Sequence, residues 1–300
     1  MSQTTSALSK AANAEYKRKQ KEAERAESRG SLVQALVALV VTLAFIVPVY
    51  LVIVNSLKPH AQIFTNPAAI PIPPTFQNFT DVLTRPDGLF WSGLLNSTQL
   101  TLVSTVLSIL FAALMAHYMV RRKNRISKFL FILIPMGLMI PTVTTLMPLL
   151  TVLKELNLVG SVFGLMLVYI AGNLPFGVLV FTGFLRSIPM ELEEAAEIDG
   201  AGPMRTFWQI VFPLMRPAAA SVFIFTSVGI WNDFVTPLIV LGPGSGNTVT
   251  VGMYRQISEH VSNYGAVFAF MVLATIPILI LFIALQKHFV KGLLGGATKG

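Results

Sequence analysis

The acidic residues that could do chemistry are concentrated in one stretch, residues 191–217, which reads ELEEAAEIDGAGPMRTFWQIVFPLMRP. It holds five of the chain's 14 aspartates and glutamates and no histidine or cysteine, so it resembles neither a metal site nor a nucleophile–base pair. The pattern predicts a short helix whose glutamates stabilise the positive end of the helix dipole, with Gly200 as its C-terminal stop. Ala195 and Ala196 leave part of the helix surface without bulky side chains, which allows another protein to approach closely. An ordinary glycine-capped acidic helix in a loop is the alternative interpretation.

Catalytic motifs are absent from the rest of the sequence. There is no GxxxxGK[ST] loop, no HExxH and no Ser/His/Asp constellation, and the glycine-rich pieces at 242–246 and 292–296 do not join a strand to a helix. The chain has no cysteine, so no disulfide is expected. The sequence therefore predicts a non-enzymatic protein with no catalytic, cofactor or metal site.

The elements that must position the acidic stretch are membrane spans. Hydrophobic residues make up 54% of the 300 residues and charged residues only 12%, which indicates a chain embedded in a bilayer. Runs with few or no charges are each long enough for the roughly 20 residues that cross the hydrocarbon. The predicted spans are approximately 32–53, 95–119, 129–153, 162–184, 218–241 and 266–286. The predicted fold class is an all-α integral membrane protein with six transmembrane helices.

The distribution of charge predicts the orientation. The formal net charge is +8, but 18 of the 22 lysines and arginines fall in segments on one side of the predicted spans. The positive-inside rule then places both termini, and the acidic stretch, in the cytoplasm. This asymmetry favours a multi-pass membrane protein without a nucleic-acid partner. The first span is too long for a cleavable signal and is interpreted as an uncleaved anchor.

Composition divides the chain into four parts. Residues 1–30 form a basic cytoplasmic tail close to lipid headgroups. Residues 31–93 hold the first span and a proline-rich outer loop, and residues 94–286 form a core of five spans that carries the acidic helix at about 188–206. Residues 287–300 form a glycine-punctuated cytoplasmic tail that we expect to be flexible.

The order of residues in the acidic stretch resembles a known signature. Glu194, Ala195, Ala196, Asp199, Gly200, Ala201, Phe207, Ile210, Pro213, Leu214 and Pro217 match the EAA motif of binding-protein-dependent ABC importer permeases. Phe212 departs from the pattern, which usually has a smaller aliphatic residue there. The stretch WNDFVTPLIVL and the tail KHFVKGLLGGATKG are similar to the carbohydrate subfamily, in particular to the second permease of maltose-type importers.

The resemblance implies the type I ABC importer permease fold and a set of partners. These are a dimer of ATPase subunits that hydrolyses ATP, a second and different permease, an extracytoplasmic solute-binding protein and a sugar, in a bacterial or archaeal cytoplasmic membrane. In the family the motif is a cytoplasmic coupling helix that docks in a groove of the ATPase. The coupling residues carried over are Glu194, Ala195, Ala196, Asp199, Gly200, Ala201, Phe207 and Pro213.

Polar residues inside the predicted spans are candidates for lining a translocation path. They are Asn173, Thr144, Asn232 and Asp233. Asp233 is the one carboxylate in a predicted span, and the cost of burying it in lipid forces it toward the bundle interior or the outer interface. It either lines the path or holds neighbouring helices by hydrogen bonds.

Three alternatives to a sugar importer remain. The first is a permease of the same fold for another solute, such as a phosphorylated polyol, a peptide or an amino acid. The second is an ion-coupled secondary carrier, which usually places several ionisable groups at depth, whereas this chain offers Asp233, with His117 near the inner surface. The third is a purely structural membrane subunit.

Overall fold

The computed structural model describes residues 34–122, 124–242, 246–259 and 263–297, and these residues form helices and connecting turns without a strand. The helices are α1 (Gln34–Ser56), α2 (His60–Thr65), α3 (Gln77–Leu83), α4 (Leu89–Arg121), α5 (Arg125–Met136), α6 (Thr142–Glu155), α7 (Val162–Leu185), α8 (Glu191–Ile198), α9 (Pro203–Thr206), α10 (Phe212–Leu214), α11 (Arg216–Asn232), α12 (Val235–Leu241), α13 (Val249–Glu259) and α14 (Tyr264–Ala297). The predicted basic tail at 1–30 lies outside the described residues.

Four helices are long and apolar enough to cross a membrane by themselves, namely α1, α4, α7 and α14. Two further candidates are bent pairs: the helices from Arg125–Met139 and Thr142–Glu155 meet at 108°, and those from Pro203–Leu214 and Arg216–Asn232 meet at 74°. The described residues therefore contain four candidate spans, or up to six if each bent pair crosses as one span.

Two of the predicted spans are not continuous helices. The span predicted over 129–153 breaks at Ile140, whose backbone is extended because the residue before a proline is disfavoured in the helical region. The span predicted over 218–241 breaks at Asp233, which has extended φ and ψ of −67° and 129°. A third difference lies at the C-terminus, where α14 continues as helix to Ala297, whereas composition predicted a flexible tail from residue 287; residues 298–300 lie outside the described residues.

The core of the bundle is the packing of α4 against α7. Small residues make this contact close: Ala112, Ala113 and Ala116 of α4 are fully buried. A Cβ atom added at Gly177 of α7 would lie 2.6 Å from the Cβ of Ala112, so the two backbones approach as closely as this pair of residues permits. α11 packs on the same core through Val222.

Different elements cover the two ends of α4. At its N-terminal end, Leu89 and Phe90 share a hydrophobic cluster with Phe270 of α14 and Val249 of α13. At its C-terminal end, α4 contacts the short helix α8. At about 1.5 Å per residue, its 33 residues separate these ends by about 50 Å.

A buried lysine organises the segment between α1 and α3. The side chain of Lys58 is 1% exposed, and its ammonium group donates to Asn55 Oδ1 at 3.2 Å and to the carbonyls of Asn66 and Pro67 at 2.8 and 2.9 Å. All three donors are thus used. Burial lowers the pKa of Lys58. The contacts fold the chain after α2 back onto the end of α1.

Replacing Gly177 by alanine tests the α4–α7 contact. We expect Gly177→Ala to destabilise the detergent-solubilised protein by ~1–3 kcal/mol, because the new methyl group overlaps Ala112 in a packed core. Ala112→Gly in the same chain should recover most of this loss. Gly183→Ala is the matched control on α7, since its added Cβ has no atom within 4 Å. Equal thermal midpoints for Gly177→Ala and Gly183→Ala would contradict the packing described.

Candidate functional site

Helix α8 is a short rod with defined ends. The amides of Glu193 and Glu194 donate to Met190 O, which begins the helix. At its C-terminus Ala201 N donates to Ala196 O and Gly200 N to Glu197 O, the two bonds of a Schellman motif. Gly200 has φ +82°, a left-handed backbone that favours glycine. The predicted glycine stop is confirmed.

The surface of α8 has two distinct faces. Glu194 and Ala195 are exposed, together with the apolar side chains of Leu192, at 43%, and Ile198, at 87%. Asp199 and Gly200 continue this outer face. Ala196 lies on the opposite face and is 6% exposed. The EAA residues therefore divide: Glu194 and Ala195 are available to a partner, whereas Ala196 packs against the bundle.

The inner face of α8 also carries Glu193, which the sequence analysis did not single out. Glu193 Oε1 accepts from Arg121 Nε at 2.7 Å, and Oε2 lies 2.8 Å from His117 Nε2. Arg121 donates in addition to the carbonyl of Ile188, in the turn before α8, at 3.1 Å. We call this group the α4–α8 clamp. His117 and Arg121 are four residues apart, a spacing that puts both on one face of α4 and was the available signal.

The segment after α8 packs into the core. Phe207 begins a π-helical turn, Phe207–Val211, and is 2% exposed. Its ring lies 5.2 Å from that of His117, between ring centroids. Ala201 is partly buried, and Pro213 is the second residue of α10. Phe207, like Ala196, is thus positioned to hold α8 on the bundle and not to meet a partner directly.

A cavity of about 510 Å³ opens between α6, α7 and α11, and its mostly apolar lining includes the polar side chains of Thr145, Tyr169, Asn173 and Asp233. We call it the polar cavity to distinguish it from a second, more apolar one. Tyr169 Oη donates to Asp233 Oδ2 at 3.1 Å, and Thr236 N donates to Oδ1 at 3.3 Å. Asp233 therefore caps the start of α12 and ties it to α7 while also facing the cavity. The two interpretations that the sequence left open for Asp233 are geometrically compatible.

The other two path candidates lie elsewhere. Thr144 is exposed, and its hydroxyl donates to Pro141 O at 2.7 Å; it is not among the residues lining the polar cavity. Asn232 is exposed and donates to Val228 O at 3.0 Å. It lines a second, largely apolar cavity of about 650 Å³ between α1, α11, α13 and α14. The polar cavity thus brings together Asn173 and Asp233 but not Thr144 and Asn232.

The fold of this chain matches that of a solved transporter chain. A solved chain of a bacterial ABC transporter for import of the acidic polysaccharide alginate superposes with a TM-score of 0.78, at 21% identity, over 88% of this chain and 98% of that chain. The model of the family "Binding-protein-dependent transport system inner membrane component" matches residues 108–295, more than half of the sequence. The chain belongs to this family.

Curated relatives resemble the protein over most of its length. The melibiose/raffinose/stachyose import permease protein MelC of Bacillus subtilis (strain 168) is 33% identical over 276 residues, 92% of this chain and 99% of the relative. The multiple sugar-binding transport system permease protein MsmG of Streptococcus mutans is 30% identical, over 85% of this chain and 92% of the relative. The diacetylchitobiose uptake system permease protein NgcG of Streptomyces coelicolor is 31% identical, over 81% and 80%.

A double-mutant cycle tests the bond between Tyr169 and Asp233. Asp233→Ala removes the acceptor for a buried hydroxyl and for Thr236 N–H, so we expect a loss of ~1–3 kcal/mol in unfolding free energy. Tyr169→Phe should cost ~0.5–1.5 kcal/mol. In the double variant the losses should fall short of their sum, measured by thermal unfolding in detergent. Thr144→Val, which touches neither residue, is the control, and strict additivity would argue against the bond.

Proposed function

We propose that the protein is the membrane-spanning subunit of an ATP-driven importer for a sugar or oligosaccharide, and that α8 is its coupling helix. The partners are a dimer of ATPase subunits, a second permease and an extracytoplasmic solute-binding protein. The observation that carries this proposal is the outer face of α8, which presents acidic and apolar side chains to a partner while its inner face is fixed to the bundle.

The chemistry of the outer face describes the groove that would receive it. Ile198 at 87% exposure and Leu192 at 43% expose apolar surface that is stable when covered. Ala195 between them allows close approach of a partner's backbone. Glu191 and Glu194 at the helix N-terminus favour a basic rim on the partner. An apolar groove with lysine or arginine at one end fits this surface.

The proposed cargo rests on the relatives and on the family. Three relatives that cover most of the chain are named for import of sugars, and the family is described as dependent on a binding protein. A solved complex of similar fold contains a periplasmic protein bound to an alginate pentasaccharide. A polar cavity with one carboxylate and neutral hydrogen-bonding groups suits hydroxyl-rich solutes.

The proposed path runs along the polar cavity. Asp233 and Asn173 offer acceptors and donors to hydroxyl groups, and Thr145 adds a hydroxyl. In the proposed assembly the second permease completes the passage. Thr144 lies on the exposed surface of α6 and does not line this cavity, and Asn232 belongs to the neighbouring apolar cavity.

The proposed mechanism is mechanical. On binding ATP, the ATPase dimer closes and carries the docked α8 with it. The bundle has one arrangement open to the cytoplasm and one open to the outside. Displacement of α8 changes the relative free energies of these two arrangements, and this couples them to the ATPase. The permease needs a rigid rod and a defined attachment, and it needs no reactive group.

Substitutions on the outer face of α8 test the docking. In the complete importer in proteoliposomes, we expect Ala195→Arg to lower ATP-dependent sugar uptake at least tenfold and to reduce co-purification of the ATPase, because a large cation replaces a methyl group at the contact. Gly200→Pro should act similarly, since proline cannot adopt φ +82°. Ala195→Ser is the matched control. Normal uptake by Ala195→Arg at equal membrane abundance would contradict the proposal.

The same preparation tests the energy source and the cargo. ATP hydrolysis should rise when binding protein loaded with the correct member of a sugar panel is added. Uptake should persist when ion gradients are collapsed at constant ATP. Loss of uptake under that treatment would instead favour an ion-coupled carrier.

Single cysteines test the path, and the chain has no native cysteine to interfere. We expect Thr145→Cys to react with a membrane-impermeant thiol reagent at a rate that changes at least threefold between ATP-bound and nucleotide-free states, and to be protected by the transported sugar. Phe45→Cys, on an exposed apolar face of α1, is the control and should react slowly in both states. A Thr145→Cys rate insensitive to both nucleotide and sugar would exclude this cavity from the path.

A further inference from the structure

We propose that Glu193, Arg121 and His117 are positioning residues that transmit the movement of α8 to α4. The inference rests on the proposed function, because it takes α8 to be the helix that the ATPase moves. It assigns the transmitting contact to the buried carboxylate of the inner face, Glu193, and not to the exposed Glu194 of the EAA motif.

The backbone around α8 does not by itself fix the helix to the bundle. A turn at residues 186–190 separates it from α7, and the left-handed Gly200 and the extended Gly202 separate it from α9. An eight-residue helix between two such breaks can pivot. A contact from its side chains to a long helix must therefore set its orientation.

The α4–α8 clamp provides that contact, and the carboxylate at its centre has a partner for each oxygen. Both carboxylate oxygens of Glu193 are engaged, one by Arg121 and the other by His117. Arg121 also binds the carbonyl of Ile188, so a single guanidinium group holds the helix and the turn that precedes it. Within the part of the chain that the structure describes, no other carboxylate of α8 forms an ion pair.

Burial strengthens the clamp, and the planar guanidinium group of Arg121 gives it a fixed direction. Side-chain exposures are 11% for Glu193, 13% for Arg121 and 21% for His117. Removing one member of such a pair leaves a charge that water cannot easily solvate, unlike an exposed surface ion pair. The apolar contact at Ala196 has no preferred direction and allows sliding, whereas the planar guanidinium group fixes an angle.

Helix α4, which receives the movement of α8 in this proposal, can transmit a displacement over a long distance. α4 is a continuous helix of 33 residues that runs from the clamp to the cluster formed with α13 and α14 at its other end. Between these ends it packs along α7, which lines the polar cavity. Because α8 is bonded to Arg121, a shift of α8 moves α4. The movement of α4 then reaches both the wall of the polar cavity and the far end of the bundle.

The test separates docking from transmission in the complete importer. We expect Glu193→Ala and Glu193→Gln to bind the ATPase subunits normally, because the outer face of α8 is unchanged. ATP hydrolysis stimulated by the sugar-loaded binding protein should continue, but the number of sugars transported per ATP should fall at least fivefold. Arg121→Lys, which keeps the charge but cannot bridge Glu193 and Ile188 O, should give an intermediate ratio. Glu155→Gln, an exposed carboxylate at the end of α6, is the matched control.

The outcomes are distinguishable. If the wild-type chain itself does not bind an ATPase, the proposed function fails. If it does, but Glu193→Ala and Glu193→Gln transport as many sugars per ATP as the wild type, the clamp does not transmit the movement. If both variants fold yet lose the ATPase entirely, the clamp only shapes the docking surface and the inference is likewise overturned. Membrane abundance and thermal midpoint of each variant show that the chain is folded, and the milder Glu193→Gln keeps the test valid should Glu193→Ala be lost.

Discussion

The rest of the structure depends on the close contact between α4 and α7. Alanines on one helix and Gly177 on the other bring the two backbones together without large side chains between them. In a bilayer, where lipid is as apolar as leucine, close packing of this kind replaces the hydrophobic effect as the force that joins helices. The α4–α7 pair then positions both candidate sites, because one face of α7 lines the polar cavity and the chain leaving α7 becomes α8.

Among the described residues, the buried ionisable side chains form their bonds mainly where the bundle ends. Arg121, His117 and Glu193 meet at the end where α4 and α8 are joined, and Lys58 folds the segment after α1. Asp233 is the exception, and it sits at a break between two helices where it caps one and binds a tyrosine of another. Such an arrangement costs less than a carboxylate on a lipid-facing helix, because each oxygen has a partner.

The predicted and observed spans differ mainly in where the helices break and less in how long they are. Helices α1, α4 and α7, and the candidate span Tyr264–Gln286 within α14, agree with the predicted spans to within several residues. The predicted spans containing Pro141 and Asp233 are each interrupted by a break, which hydropathy does not detect because it averages over a window and is insensitive to a single residue with extended backbone. Those breaks matter for the site, since the polar cavity lies beside both of them.

The sequence by itself determined the class of protein, the acidic helix, its glycine stop and the family signature, because hydropathy, local capping and residue order are properties of neighbouring residues. It also selected Asn173 and Asp233 for their polarity within apolar runs. Only the tertiary structure decided that Glu193 and not Glu194 faces the bundle, and that Arg121 and His117, 72 and 76 residues away, complete its bonds. The same holds for Tyr169 with Asp233. These pairings depend on which helices pack together, and helix packing is a long-range property that no local pattern encodes.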